Sequence, residues 1–144
     1  MRNRLMTKIL ISGHGKFATG LMSNLALIAG ENSDLTALDF NGTISLEEFS
    51  EQMESKIAQL GEKVIILTDI KGGTPFNVAY RIKSNNPTNI FLFAGVNVPT
   101  ALELLMGDFS SQTEEEVYQR LLRPELQLTR ADIENLDDIE DEMD

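Results

Sequence analysis

Short continuous apolar runs alternate along this chain with stretches whose apolar residues recur every three or four positions. The first run, Lys8 to Ser12, stops at Gly13-His14-Gly15, as a strand of a parallel sheet covered on both faces would. Phe17, Leu21, Leu25 and Ile28 then form one helical stripe that ends at Gly30. Leu35 to Phe40 reads as a second strand and Asn41-Gly42 as a turn. Ser45-Leu46-Glu47-Glu48 is a capping box that opens a helix with Phe49, Met53, Ile57 and Leu60 on one face, closed by Gly61. Val64-Ile65-Ile66-Leu67 is consecutive, aliphatic and largely β-branched, which predicts a central strand.

That strand runs into Thr68-Asp69-Ile70-Lys71-Gly72-Gly73-Thr74-Pro75, where Thr74 is the expected N-cap and Pro75 the first residue of a helix reaching about Ser84. Ile90 to Ala94 follows as a fourth strand. Pro99 opens a helix carrying Leu102 and Leu105, and Thr113 to Glu116 forms a second capping box ahead of Val117, Leu121 and Leu122. Leu126-Gln127-Leu128 reads as a short final strand. The alternation predicts an α/β fold, a parallel four-stranded sheet of order 2-1-3-4 with helices on both faces and right-handed crossovers. No repeat or linker interrupts it, so residues 1–130 are expected to form one domain and 131–144 an acidic, solvated tail.

Composition narrows the chemistry. The 144 residues suffice for one domain with a real core, and no apolar stretch approaches the roughly 20 residues that cross a bilayer. With no cysteine and one histidine, disulfides, thiolate zinc sites and thiol catalysis are excluded, and neither a metal nor an organic cofactor is expected. The basic start at Met1 to Met6 lacks a signal peptide's cleavage site and its apolar segment contains Lys8, so the expected compartment is the cytoplasm. A net charge of -11 opposes phosphate backbones and anionic membranes, which argues against a nucleic-acid partner.

In a sheet of order 2-1-3-4, ligands bind at the carboxyl ends of the strands where the order reverses. There the loop after the first strand, holding His14, lies beside the loop after the third, holding Asp69, Gly72, Gly73 and Thr74. A neutral imidazole can act as nucleophile, and Asp69 accepting a hydrogen bond from one ring nitrogen would fix the tautomer and free the other. The Gly72 and Gly73 amides, the Thr74 hydroxyl and a helix start at Pro75 suit phosphate oxygens. Taken singly, each feature has a structural explanation: a surface histidine, a turn aspartate, a tight glycine turn, an N-cap threonine. Lys16 and Lys71 are weak candidates for offsetting phosphate charge. A competing pattern exists as well. Gly13 to Ala18 fits the dinucleotide fingerprint G-x-G-x-x-A, with Asp39 ending the second strand, but that reading leaves the Asp69 to Thr74 loop without a purpose.

Several of these runs together resemble the enzyme IIA proteins of the mannose-fructose-sorbose class of the bacterial sugar phosphotransferase system. They are Ile9 to Gly15 with its histidine, Leu38-Asp39-Phe40, Thr68-Asp69 with Gly72-Gly73-Thr74-Pro75-Phe76-Asn77, and Ala94 to Pro99. The resemblance implies a phosphotransferase in which His14 accepts a phosphoryl group at Nε2 from the phosphocarrier HPr, with Asp69 holding Nδ1. His14 then passes the group to a separate IIB protein, which phosphorylates sugar entering through a membrane permease. Gly72, Gly73 and Thr74 would contact the phosphate; many relatives carry serine where Thr74 stands. It also implies a homodimer that exchanges a C-terminal strand, which Leu126 to Thr129 would suit. The nearest alternative is the phosphoryl-carrying subunit of a dihydroxyacetone kinase. More distant ones are a nucleotide-binding module and a receiver-like domain phosphorylated on Asp69.

Overall fold

The computed structural model describes residues 7–132; the basic start and the acidic tail from residue 133 onward lie outside the described residues. Strand β1 is Lys8–His14, β2 Leu35–Phe40, β3 Val64–Thr68 and β4 Ile90–Ala94. They pair in parallel as one four-stranded sheet of the expected order, β2-β1-β3-β4. Helices α1 (Phe17–Ala29), α2 (Leu46–Leu60), α3 (Thr74–Ser84), α4 (Val98–Met106) and α5 (Glu114–Leu121) connect and follow the strands. Among the described residues no helix is long and apolar enough to cross a membrane.

The unbroken apolar runs have a direct physical cause: successive strand residues point to opposite faces, and both faces are covered. Ile9, Ile11, Ile65 and Leu67 pack with Leu21, Leu25, Leu104, Val117 and Leu121 of α1, α4 and α5. On the other face Leu10, Val64 and Ile66 meet Phe49, Met53 and Ile57 of α2 and Val78 of α3. Phe49 and Met53 are wholly buried, and burying side chains of this size is worth about 1.5–3 kcal/mol each.

The helical stripes are narrower than periodicity implies. Ile28, in the last turn of α1, and Leu122 are exposed, and Leu122 is already the C-cap of α5. In α4 the fully buried positions are Ala101 and Leu104, with Leu102 and Leu105 packed on the flank. The Thr113 to Glu116 capping box forms in full, and Asn97 with Thr100 makes another ahead of α4. Ser45 accepts the Glu48 N–H at 3.1 Å, while the Glu48 carboxylate turns to the Ser45 hydroxyl.

The short final strand is absent. Pro124–Leu126 is a 3₁₀ turn that buries Leu126, and Leu128 is 98% exposed. The edge such a strand would join is occupied: on the outer side of β4, the Lys83 ammonium donates to the Ile90 carbonyl at 2.8 Å and Glu114 accepts the Leu92 N–H at 2.9 Å. Lys83 and Glu114 pair at 3.2 Å, closing a clasp over the edge.

Candidate active site

Ser12 of β1 lies opposite Thr68 of β3, so the chain leaves both strands side by side and brings His14 and Asp69 together. Asp69 is held from three directions. Its Oδ2 accepts the His14 backbone N–H at 2.9 Å and the ring Nδ1–H at 2.9 Å, while Oδ1 accepts the Ile70 N–H at 2.9 Å. With the ring proton on Nδ1, a neutral imidazole keeps its lone pair on Nε2. The imidazole is 46% exposed against 17% for the carboxylate, so the ring is open to a partner and its orienting group is not.

Partial burial works against the Asp69 charge, but the hydrogen bonds from the His14 backbone and ring, the His14 charge and the Ile70 N–H outweigh it and hold the carboxyl below its ordinary 3.8. The sign follows from linkage. A carboxylate with a depressed folded-state pKa contributes stability that is fully present above 3.8 and lost only as pH falls through the lower folded value. The Asp69 carboxyl should therefore take up its own proton below 3.8; protonation of the carboxyl with a midpoint above 3.8 would contradict the three-donor arrangement.

Glycines make the closeness possible. A Cβ on Gly13 would stand 2.6 Å from Phe17 Cδ2 and 2.9 Å from Asp69 Cγ, and one on Gly73 would stand 2.5 Å from His14 Cε1 and 3.0 Å from Nε2. The imidazole is thus walled by the Gly73 backbone on its Nε2 side and held by Asp69 at Nδ1. Phe40 meets it edge-on, ring centroids 5.9 Å apart, and its carbonyl accepts the Gly15 N–H at 2.7 Å.

Thr74 is the first residue of α3, not its cap. Gly73 takes the N-cap position in extended backbone (φ -81, ψ 173), with no side-chain cap, and Pro75 lies within the first turn. Among the described residues the Thr74 hydroxyl and the Gly73 and Thr74 N–H groups have no hydrogen-bond partner. Those donors stand at a helix N-terminus whose Gly73 lies against the Cε1–Nε2 edge of the ring, an arrangement that suits an anion. Gly72 turns the chain at φ +87, and Lys16 and Lys71 are both exposed.

Asp39 is committed elsewhere. Its carboxylate accepts the Thr19 N–H at 3.0 Å and the Thr19 hydroxyl at 2.6 Å, capping α1 from the end of β2 where Lys16 supplies no side-chain cap. That removes the group a dinucleotide ribose would need and weighs against the fingerprint reading. Three residues with no role assigned from sequence stand at the site: Gly13, Phe40 and Asn77. Only the unusual glycine before the histidine and an asparagine inside a helix start could have signalled them. Among the described residues no three histidine, cysteine or carboxylate side chains gather as a metal site requires.

Residues 8–121 match the family described as "PTS system fructose IIA component". The chain is 33% identical over 102 residues to the fructose-specific EIIA component of Bacillus subtilis (strain 168), covering 69% of each. It is 33% identical over 101 residues to the mannose-specific EIIAB component of Escherichia coli (strain K12), where the match takes in 69% of this chain but only 31% of that longer protein. Among solved structures, EIIA from Streptococcus agalactiae superposes with a TM-score of 0.73 at 25% identity, covering 81% of this chain and 90% of that one. The mannose/sorbose-specific IIA subunit from Enterococcus faecalis shares the fold with a TM-score of 0.73 at 22% identity, over 89% of this chain and 96% of its own.

Proposed function

The chain belongs to the fructose- and mannose-type IIA family, phosphocarriers of the sugar phosphotransferase system, and from that premise we propose that His14 is the residue that carries the phosphoryl group. The single observation behind this is the 2.9 Å bond between Asp69 Oδ2 and His14 Nδ1, which leaves Nε2 as the nucleophile on an exposed ring. The donor is phosphorylated HPr. Nε2 attacks phosphorus, the donor's P–N bond breaks with its electron pair going to the donor nitrogen, and the Nε2–P bond forms. The His14 ring becomes cationic with its proton still on Nδ1, and the Asp69 carboxylate stabilises that charge. The Gly73 and Thr74 N–H groups, the Thr74 hydroxyl and the turn at Gly72 receive the phosphoryl oxygens. The reverse chemistry delivers the group to a IIB protein, which serves a sugar permease in the membrane. The transfers from HPr and to the IIB protein take place in the cytoplasm, and no metal or organic cofactor takes part.

The described relatives are sugar-uptake components, which favours this reading over the dihydroxyacetone kinase subunit. A homodimer exchanging the segment Leu126 to Thr129 is part of the same proposal. Beside β4 a groove of about 730 Å³ runs from Asp69 and Lys71 past Tyr80 and Tyr118, and an incoming strand would displace the Lys83–Glu114 clasp.

Incubation with phosphoenolpyruvate, enzyme I and HPr, followed by intact mass, tests the assignment. The expected adduct is one phosphoryl group, lost in acid, stable in alkali, mapped to His14 and missing from His14→Ala. No adduct with active partners, or a hydroxylamine-labile one on Asp69, would overturn it.

A further inference from the structure

We propose that Asn77 is a positioning residue for phosphoryl transfer, acting through the Gly72-Gly73 turn on the His14 imidazole. Asn77 stands in the first turn of α3, and its side chain is exposed, a place where helix formation gives no reason for an asparagine. Its Nδ2 reaches back to the Gly72 carbonyl at 3.0 Å, and its backbone N–H donates to the Gly73 carbonyl at 2.9 Å. Both carbonyls of the glycine pair are thus held by one residue. The turn has little else to hold it: Gly72 sits at φ +87 where backbone freedom is greatest, Gly73 has no side chain, and Pro75 has no N–H to give.

What the turn does for His14 makes that tether consequential. The Gly73 α-carbon packs so closely on the ring that a Cβ would come within 2.5 Å of Cε1. A turn that drifts by an ångström releases the Nε2 side of the ring. It also re-aims the free Gly73 and Thr74 N–H groups, because fixing a carbonyl fixes the plane of the peptide unit that carries the next N–H. Asp69 sets one edge of the imidazole; Asn77 sets the other at one remove, without touching it.

This inference rests on the assignment of phosphoryl transfer to His14, and the experiment separates the two. Asn77→Asp keeps the shape, removes the donor and places a negative charge in the first turn of α3, where the helix dipole favours it, so the fold is retained. Asn77→Ala removes the donor without adding charge. Both are expected to lower kcat for transfer from phosphorylated HPr roughly ten- to a hundredfold with KM little changed, the size of effect that small misplacement of reacting groups produces. Both should also shift and broaden the His14 Cε1–H signal in the unphosphorylated protein. Wild-type kcat in the two variants, or a loss confined to Asn77→Asp, would overturn the proposal. If the wild type takes no phosphoryl group on His14, the functional assignment fails instead, and an unchanged Cε1–H signal in the variants would then still refute the role of Asn77.

Discussion

Asp69→Asn should lower phosphoryl transfer through His14 by about three to four orders of magnitude while the protein stays folded, the scale seen when the orienting carboxylate of a histidine is amidated. The reason lies in the number of donors. Asp69 receives N–H groups on both oxygens, Ile70 on one and two from His14 on the other. Asparagine has one oxygen, so one side of the carboxamide must present its NH₂ to groups that are donors. If the NH₂ faces His14, it donates to Nδ1, the ring proton moves to Nε2, and the nucleophilic lone pair is gone. If it faces Ile70, that backbone N–H loses its acceptor and the ring becomes cationic without a counter-charge during transfer. Either orientation leaves an N–H opposite a donor, at about 1 kcal/mol, or about 3 °C in thermal midpoint for a chain of this size. Paired thermal melts and transfer assays check this; wild-type rates in Asp69→Asn would remove the carboxylate from the mechanism.

Gly73→Ala should likewise separate activity from stability, by crowding the imidazole rather than by changing its hydrogen-bond partner. Gly73 has φ -81 and ψ 173, backbone that any residue adopts, so no strain opposes alanine there. Alanine narrows the unfolded ensemble and is a somewhat poorer N-cap, effects of opposite sign that leave stability within about 1 kcal/mol of wild type. The obstacle is His14 alone, whose Cε1 and Nε2 would lie 2.5 and 3.0 Å from the new methyl group. The exposed ring escapes by rotating away from Asp69, and the methyl group then fills the space beside Nε2. Transfer is expected to fall by about a hundredfold or more. A variant that melts like the wild type and transfers at the same rate would show that the glycine wall has no part in orienting the imidazole.

Much of the fold was legible because both faces of the sheet are covered. Ile9 to Ile11 and Val64 to Leu67 could only be strands buried on both sides, and a parallel sheet with crossover helices follows from that. The juxtaposition of His14 with the Asp69 loop was legible for the same reason, since order 2-1-3-4 puts the ends of β1 and β3 together. Periodicity misjudged Ile28, Leu122 and the Leu126 to Leu128 segment, because whether a helix-end position is covered, or an edge is already capped, depends on neighbours distant in the chain. Thr74 was misplaced as a cap because the entry of α3 is set by the Gly72-Gly73 turn and by Asn77, and no local pattern separates a capping threonine from a first-turn one.

Periodicity, glycine and proline positions and short runs of consecutive residues were enough for the element order from β1 to α5, the two-faced core, the switch-point loops and the family. Three features came from packing alone: Asp69 takes His14 by both backbone and ring, Gly13 and Gly73 are bare because Asp69 and the imidazole occupy their Cβ space, and Asp39 caps α1. These are contacts between atoms whose residues lie 20 to 60 positions apart, and their distances follow from packing that no local pattern encodes.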